Sequence, residues 1–146
     1  MKNKRFNSPS VKFEKTLVLT GYFGALVMVA IIVYLCYKEP RIAIDSSTFR
    51  LKGIYGVNIQ LAEIAKADTI TWREMPKISI RTNGISLRKV HRGRFRTADG
   101  DKVRLNIHRG TEPVIRLVDN NGLVYYINRK NPTETRQIFE QLKIID

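Results

Sequence analysis

The longest uncharged run in the chain, TLVLTGYFGALVMVAIIVYLCY, constrains its fold more than any other feature. It comprises the 22 residues from Thr16 to Tyr37 and is bracketed by Lys15 and Lys38. A helix needs about 20 apolar residues to cross a hydrocarbon core about 30 Å thick. A cleaved signal has an apolar region of only about 7–15 residues before a small-residue cleavage site, whereas this run ends at YKEP. The sequence therefore predicts an uncleaved transmembrane helix over residues 16–37, in a single-pass protein of the cell membrane.

The charges around this helix leave the side of the membrane open. The basic tail, residues 1–15, has five Lys or Arg residues, and the 15 residues after the helix have four. The positive-inside rule thus favours a cytoplasmic tail by one charge only. Within the helix, Gly21 and Ala25 form a small-xxx-small pair, which predicts a weak tendency to form homo-oligomers.

After Pro40 the pattern changes from continuous to alternating hydrophobicity. Short segments rich in β-branched and aromatic residues are separated by turn signals such as Asn83-Gly84, Asp99-Gly100 and Asn121-Gly122. Such spacing is typical of an antiparallel sandwich or barrel. The predicted strands are Thr48–Gly56, Val57–Ile64, Thr69–Glu74, Ile78–Asn83, Arg88–Thr97, Lys102–His108, Pro113–Val118 and Leu123–Asn128.

The end of the chain predicts one amphipathic helix near Pro132–Lys143. Asn131 can cap it, Pro132 suits the first turn, and Glu134 can reach back as in a capping box. The resulting organisation is a linker over residues 38–44 and a single β domain over residues 45–146.

The most basic stretch, VHRGRFRTADGDKVRLNI, predicts a hairpin with a defined register. A three-residue loop, Ala98-Asp99-Gly100, pairs Phe95 with Val103 in the core and puts Gly100 at the left-handed position that this loop requires. The same register pairs Arg96 with Lys102 and Arg94 with Arg104. Five cations are then predicted to share one outward face: Arg92, Arg94, Arg96, Lys102 and Arg104.

This concentration of charge indicates an anionic partner. Like charges directly opposite each other destabilise a sheet, and residues 77–109 hold ten basic residues against Asp99 and Asp101 alone. With a net charge of +13, anionic lipid head groups or an acidic protein are the predicted partners. The alternatives are a merely solvated face and a face covered by the chain's own Glu63, Asp68 or Glu74. Nucleic acid is less favoured, because no outward aromatic residue accompanies the arginines.

A second hairpin is predicted in VIRLVDNNGLVYYIN. A three-residue loop, Asn120-Asn121-Gly122, pairs Leu117 with Tyr125 and Ile115 with Ile127 on an apolar face, and places Arg116 and Tyr126 on the other. Tyr125 and Tyr126 are interpreted as packing residues.

The order of these segments resembles the bacterial pleckstrin-homology (PH) domain families. The likeness runs through FRLKGIYGVNIQLAEI, IRTNGISL, RGRFRTADGDKVRL, VIRLVDNNGLVYYIN and NPTETRQIFEQL, and covers Ile42 to Leu142. It implies a mainly β, PH-like barrel of about seven antiparallel strands, closed by the C-terminal helix. Eukaryotic relatives bind phosphoinositides through basic residues between the first two strands. Here that stretch is Gly53–Gly56 with only Lys52 nearby, so the lipid-binding pattern does not carry over.

The sequence predicts no catalytic residue, metal or cofactor. His91 and His108 are the only histidines, and in the derived register they lie on opposite faces. The only cysteine, Cys36, lies in the predicted membrane helix. The predicted function is a membrane-anchored binding or scaffold module. The alternatives are an unrecognised enzyme and a nucleic-acid-binding domain tethered to the membrane.

Overall fold

The computed structural model describes residues 11–145; the predicted basic tail lies largely outside the described residues. The chain divides into two compact units, Met1–Lys38 and Glu39–Asp146. The first contains one helix, α1 (Val11–Tyr37). Its segment Leu17–Tyr37 has a mean hydropathy of 2.3, and none of that segment is buried within the protein. The helix is therefore long and apolar enough to cross a membrane, and it ends where the sequence predicts.

The second unit is mainly β and ends in a helix, as predicted. Its strands are β1 (Arg41–Ile44), β2 (Thr48–Lys52), β3 (Val57–Gln60), β4 (Ile64–Ile70), β5 (Ile78–Ser86), β6 (Val90–Thr97), β7 (Lys102–His108), β8 (Val114–Asp119) and β9 (Val124–Ile127), with a 3₁₀ turn at Leu61–Glu63 and a final helix, α2 (Pro132–Ile145). The first strand lies within residues 38–44, which the sequence assigns to a linker.

The nine strands of the described residues, against about seven expected, form two sheets, and these sheets do not close into the barrel that the PH resemblance implies. A three-stranded sheet has the order β1-β2-β3, and a six-stranded sheet has the order β4-β8-β9-β7-β6-β5. The pairing is also not wholly antiparallel, because β7 and β9 run parallel. The chain leaves the small sheet through the 3₁₀ turn Leu61–Glu63 and enters the large sheet at β4, which pairs with β8.

Two hydrophobic cores lie on opposite faces of the large sheet. The first joins the large sheet to the small sheet and α2 and contains Phe49, Leu51, Ile59, Ile115, Leu117, Tyr125, Ile127, Phe139 and Leu142. The second lies on the other face and contains Ile70, Phe95, Val103, Leu105, Ile107, Val114 and Tyr126, with Trp72, Met75, Ile78 and Val124 packed against it. Strict alternation along a strand sends successive side chains to opposite faces, so both faces of this sheet are buried in part.

Two local predictions in the β domain are wrong. The segment Thr69–Glu74 is not a strand: β4 ends at Ile70, and the Thr71 N–H and hydroxyl both donate to the Glu74 carboxylate, at 2.7 and 3.0 Å. Asn83-Gly84 is not a turn but lies inside β5, next to an irregularity in the pairing with β6. The reversal into β6 comes later, where the Leu87 N–H donates to the Val90 carbonyl at 2.8 Å.

The C-terminal helix begins at Pro132, as predicted. The Asn131 side-chain oxygen accepts from the Thr133 N–H at 3.0 Å, which satisfies one of the free donors of the first turn. Glu134 takes a different role from the predicted capping box, because its carboxylate accepts from Arg129 Nε at 3.1 Å. Phe139 and Leu142 of this helix join the first core.

Candidate functional site

The basic hairpin has the register that the sequence predicts. Phe95 lies opposite Val103, Arg94 opposite Arg104 and Arg96 opposite Lys102. The Thr97 N–H donates to the Asp101 carbonyl at 3.0 Å, which closes the three-residue loop. Gly100 has a φ of +93°, the left-handed conformation that this loop requires. The second hairpin is confirmed in the same way, with Leu117 opposite Tyr125 and Ile115 opposite Ile127.

The structure exposes three of the five predicted cations, half-buries one and buries one. Arg94, Arg96 and Lys102 are exposed and Arg104 is half-buried. Arg92 is only 5% exposed, which contradicts its prediction as part of the outward face. It lies opposite Asn106, which is also 5% exposed, in a part of the hairpin that other elements cover. We therefore define the basic face as Arg94, Arg96, Lys102 and Arg104.

The basic face belongs to the same side of the large sheet as the first core. Residues that lie directly opposite each other across paired strands share a face. One such row crosses the sheet through Arg94, Arg104, Tyr125 and Leu117. The row is thus apolar and covered at its centre and cationic toward the β6 side. The Arg104 guanidinium lies 5.9 Å from the centre of the Tyr125 ring, so it marks the boundary between the two parts.

None of the four cations forms an ion pair with any residue that the structure describes. The arginines and lysines that do form pairs lie elsewhere: Arg50 with Asp45, Lys66 and Arg116 with Asp68, Arg129 with Glu39 and Glu134, and Lys143 with Glu140. Among the side-chain groups of the basic face, Arg96 Nη1 donates a long hydrogen bond, of 3.5 Å, to the Gly100 carbonyl. Its charge is therefore left to solvent or to a partner.

Two of the three carboxylates that could have covered the basic face, Asp68 and Glu74, are used in other places. Asp68 accepts two hydrogen bonds from Arg116, one of them from Nε at 2.8 Å. This hydrogen bonding lowers the pKa of Asp68 and keeps it ionised. Hydrogen bonds from Thr71 lower the pKa of Glu74 in the same way. Internal neutralisation by these two residues, which the sequence left open, is thus not what the structure shows.

A cavity of about 150 Å³ lies at the boundary between the basic face and the first core. The large sheet contributes Arg94, Arg104 and Asn106, and the loop before β3 contributes Tyr55 and Gly56. At about 30 Å³ per water molecule, its volume corresponds to about five waters. It is large enough for a phosphate or carboxylate group and too small for an acyl chain.

Asn106 gives this cavity an unusual property. Its side-chain Nδ2, a hydrogen-bond donor, is buried and has no partner among the described residues. A buried donor without a partner costs about 1–3 kcal/mol. Tyr55, which also lines the cavity, has a φ of +60°, an uncommon conformation for a residue other than glycine, in a turn that the Gly56 N–H closes by donating to the Gly53 carbonyl at 3.0 Å. Sequence reasoning missed both residues, because Asn106 occupies one of the regular polar positions of the alternating strand KVRLNIH and therefore gives no separate signal.

The chain that follows the apolar helix is held against the β domain by Arg129. This side chain is 16% exposed and pairs with Glu39 at 3.7 Å and with Glu134 at 3.1 Å. Its Nη1 also donates to the Pro40 carbonyl, and the Lys130 N–H donates to Glu39 at 2.7 Å. Only Lys38 separates the end of α1 from the first residue fixed in this way, so the connection between the two units is short.

The two histidines are one residue out of line, as predicted, because Val90 lies opposite His108 and His91 lies opposite Ile107. Burial lowers the pKa of both rings, and the positive charge of Arg109 lowers that of His91 further. No group of three His, Cys, Asp or Glu side chains close enough to hold a metal ion occurs in the part of the chain that the structure describes.

Comparisons of the chain with protein-family profiles, with curated proteins and with solved structures give no match.

Proposed function

We propose that this chain is a membrane-anchored, PH-like binding module whose basic face binds the anionic head groups of lipids. The observation that carries the proposal is the basic face itself: four cations on one hairpin, none with an ion pair in the described residues. Each basic residue near an anionic membrane surface contributes about 1 kcal/mol. Four of them together would give useful binding, although each is weak alone.

The cavity beside the basic face supports a head group as the ligand. Asn106 Nδ2 can donate one or two hydrogen bonds, and Arg94 and Arg104 add charge on the same side of the cavity. Nδ2 is enclosed in the unliganded chain, so a phosphate oxygen would reach this donor after a rotation of the Asn106 side chain, and it would pair with both guanidinium groups, which are suited to phosphate. A partner that contacted only the exposed cations would leave Asn106 Nδ2 without a hydrogen-bond acceptor.

The apolar helix supports lipid over an acidic protein as the partner. We take α1 to be an uncleaved single-pass anchor in the cell membrane, with the side of the β domain left open. Glu39, which follows α1 after Lys38 alone, already belongs to the β-domain unit. Lipid head groups are therefore present at high effective concentration. An acidic protein would have to be recruited.

The test uses the full chain in nanodiscs of phosphatidylcholine and measures capture of vesicles with increasing phosphatidylglycerol content. Capture should rise with phosphatidylglycerol and fall with salt, because exposed charges are screened over about 8 Å at physiological ionic strength. The variant Arg94→Gln, Arg96→Gln, Lys102→Gln should lose most of it. The matched control, Arg73→Gln, Arg88→Gln, Lys89→Gln, removes the same charge from exposed residues elsewhere and should bind nearly as well as the unaltered chain.

Three outcomes would contradict the proposal. If both triple variants lose capture equally, net charge and not the basic face is responsible. If vesicles are ignored at low salt while polyglutamate binds through the basic face, the partner is an acidic protein. If only a single-stranded oligonucleotide binds, the tethered nucleic-acid-binding alternative is correct.

A further inference from the structure

The opposite face of the large sheet carries a second, larger cavity, of about 750 Å³. Its floor consists of Phe95, Leu105 and Ile107 of the second core, each 3% exposed. Trp72 and Met75, in the segment between β4 and β5, form part of its wall. Ligand sites in proteins range from about 300 to 1,000 Å³ and are mostly apolar. This cavity therefore has the size of a site for one organic molecule, with an apolar floor and a partly polar wall that includes Ser79, Ser86 and His91.

The rim of this cavity is cationic. Lys77, Arg81 and Arg109 are exposed and line it, and no Asp or Glu of the described residues does. Arg81 lies directly opposite Phe95 across the β5–β6 pair, so a cation stands beside the apolar floor. An apolar interior beneath several cations is complementary to a molecule with a long apolar part and an anionic end.

We infer that this cavity binds a single-chain anionic lipid, the carboxylate of a long-chain fatty acid lying against Arg81 and Arg109 and its acyl chain lying on Phe95, Leu105 and Ile107. Charge complementarity and the cavity volume, which exceeds what a head group alone requires, support this ligand. The site is on the other side of the sheet from the basic face and does not depend on it. Buried acyl carbons contribute about 0.8 kcal/mol each, so binding should depend strongly on chain length.

Trp72 provides a direct reporter for this site. It is the only tryptophan in the chain, it lines the cavity, and its ring is fixed by the hydrogen bond that Nε1 donates to the Thr111 carbonyl at 3.0 Å. A brominated acyl chain in the cavity would contact the indole and quench its fluorescence. Quenching thus reports occupancy of this cavity and not binding at the basic face.

The experiment adds dibrominated stearate to the full chain in phosphatidylcholine nanodiscs and follows Trp72 fluorescence. Quenching should be saturable and reversed by unbrominated stearate, whereas butyrate should not compete. The methyl ester of the brominated acid, which lacks the charge, should bind at least tenfold more weakly, equivalent to about 1.4 kcal/mol. Nanodiscs of brominated phosphatidylcholine without the fatty acid should leave the fluorescence unchanged.

The variant Arg81→Gln, Arg109→Gln should weaken binding by roughly tenfold or more, and both residues are exposed, so the fold should be retained. The control Arg88→Gln, Lys89→Gln removes equal charge outside the cavity and should bind normally. Quenching that does not saturate, or that is equal for acid and ester, would overturn the inference. So would quenching unchanged in the Arg81 and Arg109 variant, or reversal by an acidic apolar peptide but not by stearate.

Discussion

At the scale of single residues, Asn106 distinguishes a binding role from a structural role most clearly. Its Nδ2 is buried without a partner among the described residues, which is unfavourable for folding but useful for a ligand that can accept a hydrogen bond. We predict that Asn106→Leu raises the free energy of unfolding by about 1 kcal/mol and weakens capture of phosphatidylglycerol vesicles. Denaturant titration and the nanodisc assay measure the two effects.

A matched variant separates the donor from its volume. Asn106→Asp keeps the shape but places an acceptor, negative when ionised, in the cavity, so it should abolish anion binding more completely than Asn106→Leu does. If Asn106→Leu is clearly less stable than the unaltered chain, the Asn106 side chain contributes to the fold, and the prediction that it is unfavourable for folding is wrong.

His91 should make the stability of the β domain sensitive to mild acid. The ring is half-buried, its Nδ1 lies 2.9 Å from the Ser86 hydroxyl, and burial together with the charge of Arg109 lowers its pKa below 6.5. The unfolded chain therefore binds more protons than the folded chain below about pH 6.5, and the free energy of unfolding declines as the pH falls through that range. Denaturant titrations at several pH values should show a shallower decline in His91→Gln.

His108 provides the internal control for this prediction. Its pKa is also lowered by burial, so His91→Gln should retain part of the decline and the double variant with His108→Gln should lose more. Parallel decline in the unaltered chain and in both variants would assign the acid sensitivity to other groups.

At the scale of secondary-structure elements, the hairpins could be predicted from sequence and the β5–β6 contact could not. Loop length and alternation fix a hairpin register, because a shift of one residue would turn Phe95 or Leu117 away from its core. Asn83-Gly84 carries the same local signal as a turn, yet it lies within a strand. Its glycine is needed for a close approach: a Cβ on Gly84 would lie 2.1 Å from the Arg92 carbonyl oxygen. Only the tertiary pairing reveals that reason.

The facing glycine of β6 gives the test at this scale. A Cβ on Gly93 would lie 2.3 Å from the Asn83 carbonyl oxygen, and its φ is +120°. We predict that Gly93→Ala separates β5 from β6 and lowers the free energy of unfolding by more than about 2 kcal/mol. Amide exchange should rise along β5 in particular.

Gly100→Ala is the matched comparison for that prediction. Its φ is also positive, at +93°, but a Cβ there would meet no atom within 4 Å. The change should cost only the left-handed backbone penalty of about 1–2 kcal/mol and leave β5 protected. If Gly93→Ala and Gly100→Ala lower the free energy of unfolding equally, the close approach of β5 and β6 adds nothing to the backbone penalty.

At the scale of the whole molecule, the sequence could predict an apolar helix followed by a β domain but not the arrangement of its cores. Alternation shows that Phe95 and Val103 lie on one face and Arg94 and Arg104 on the other, and it predicts that the second face is exposed to solvent. In the structure that second face continues into Leu117 and Tyr125 of the first core. Which elements cover a face is decided by contacts distant in sequence, and alternation within a strand does not report them. Self-association through Gly21 and Ala25 of α1 stays a prediction.

Arg129 holds residues 39–40 at the start of the β domain, and this gives the last prediction. Arg129 is largely buried and bonds Glu39, Pro40 and Glu134. Removing one partner from a buried ion pair costs about 3–5 kcal/mol, and less when it is partly exposed, so Arg129→Gln should lower the free energy of unfolding by about 2 kcal/mol. Lys143→Gln breaks an exposed pair with Glu140 and should cost less than about 1 kcal/mol.

The same variant should loosen residues 39–40 at the start of the β domain. Without Arg129, Glu39 and Pro40 lose their contacts with its guanidinium group, and amide exchange at Lys130, whose N–H donates to Glu39, should increase. Glu39→Gln retains an acceptor for Lys130 and should show a smaller increase. If exchange at Lys130 is unchanged in Arg129→Gln while stability falls, the arginine stabilises α2 through Glu134 and does not hold residues 39–40.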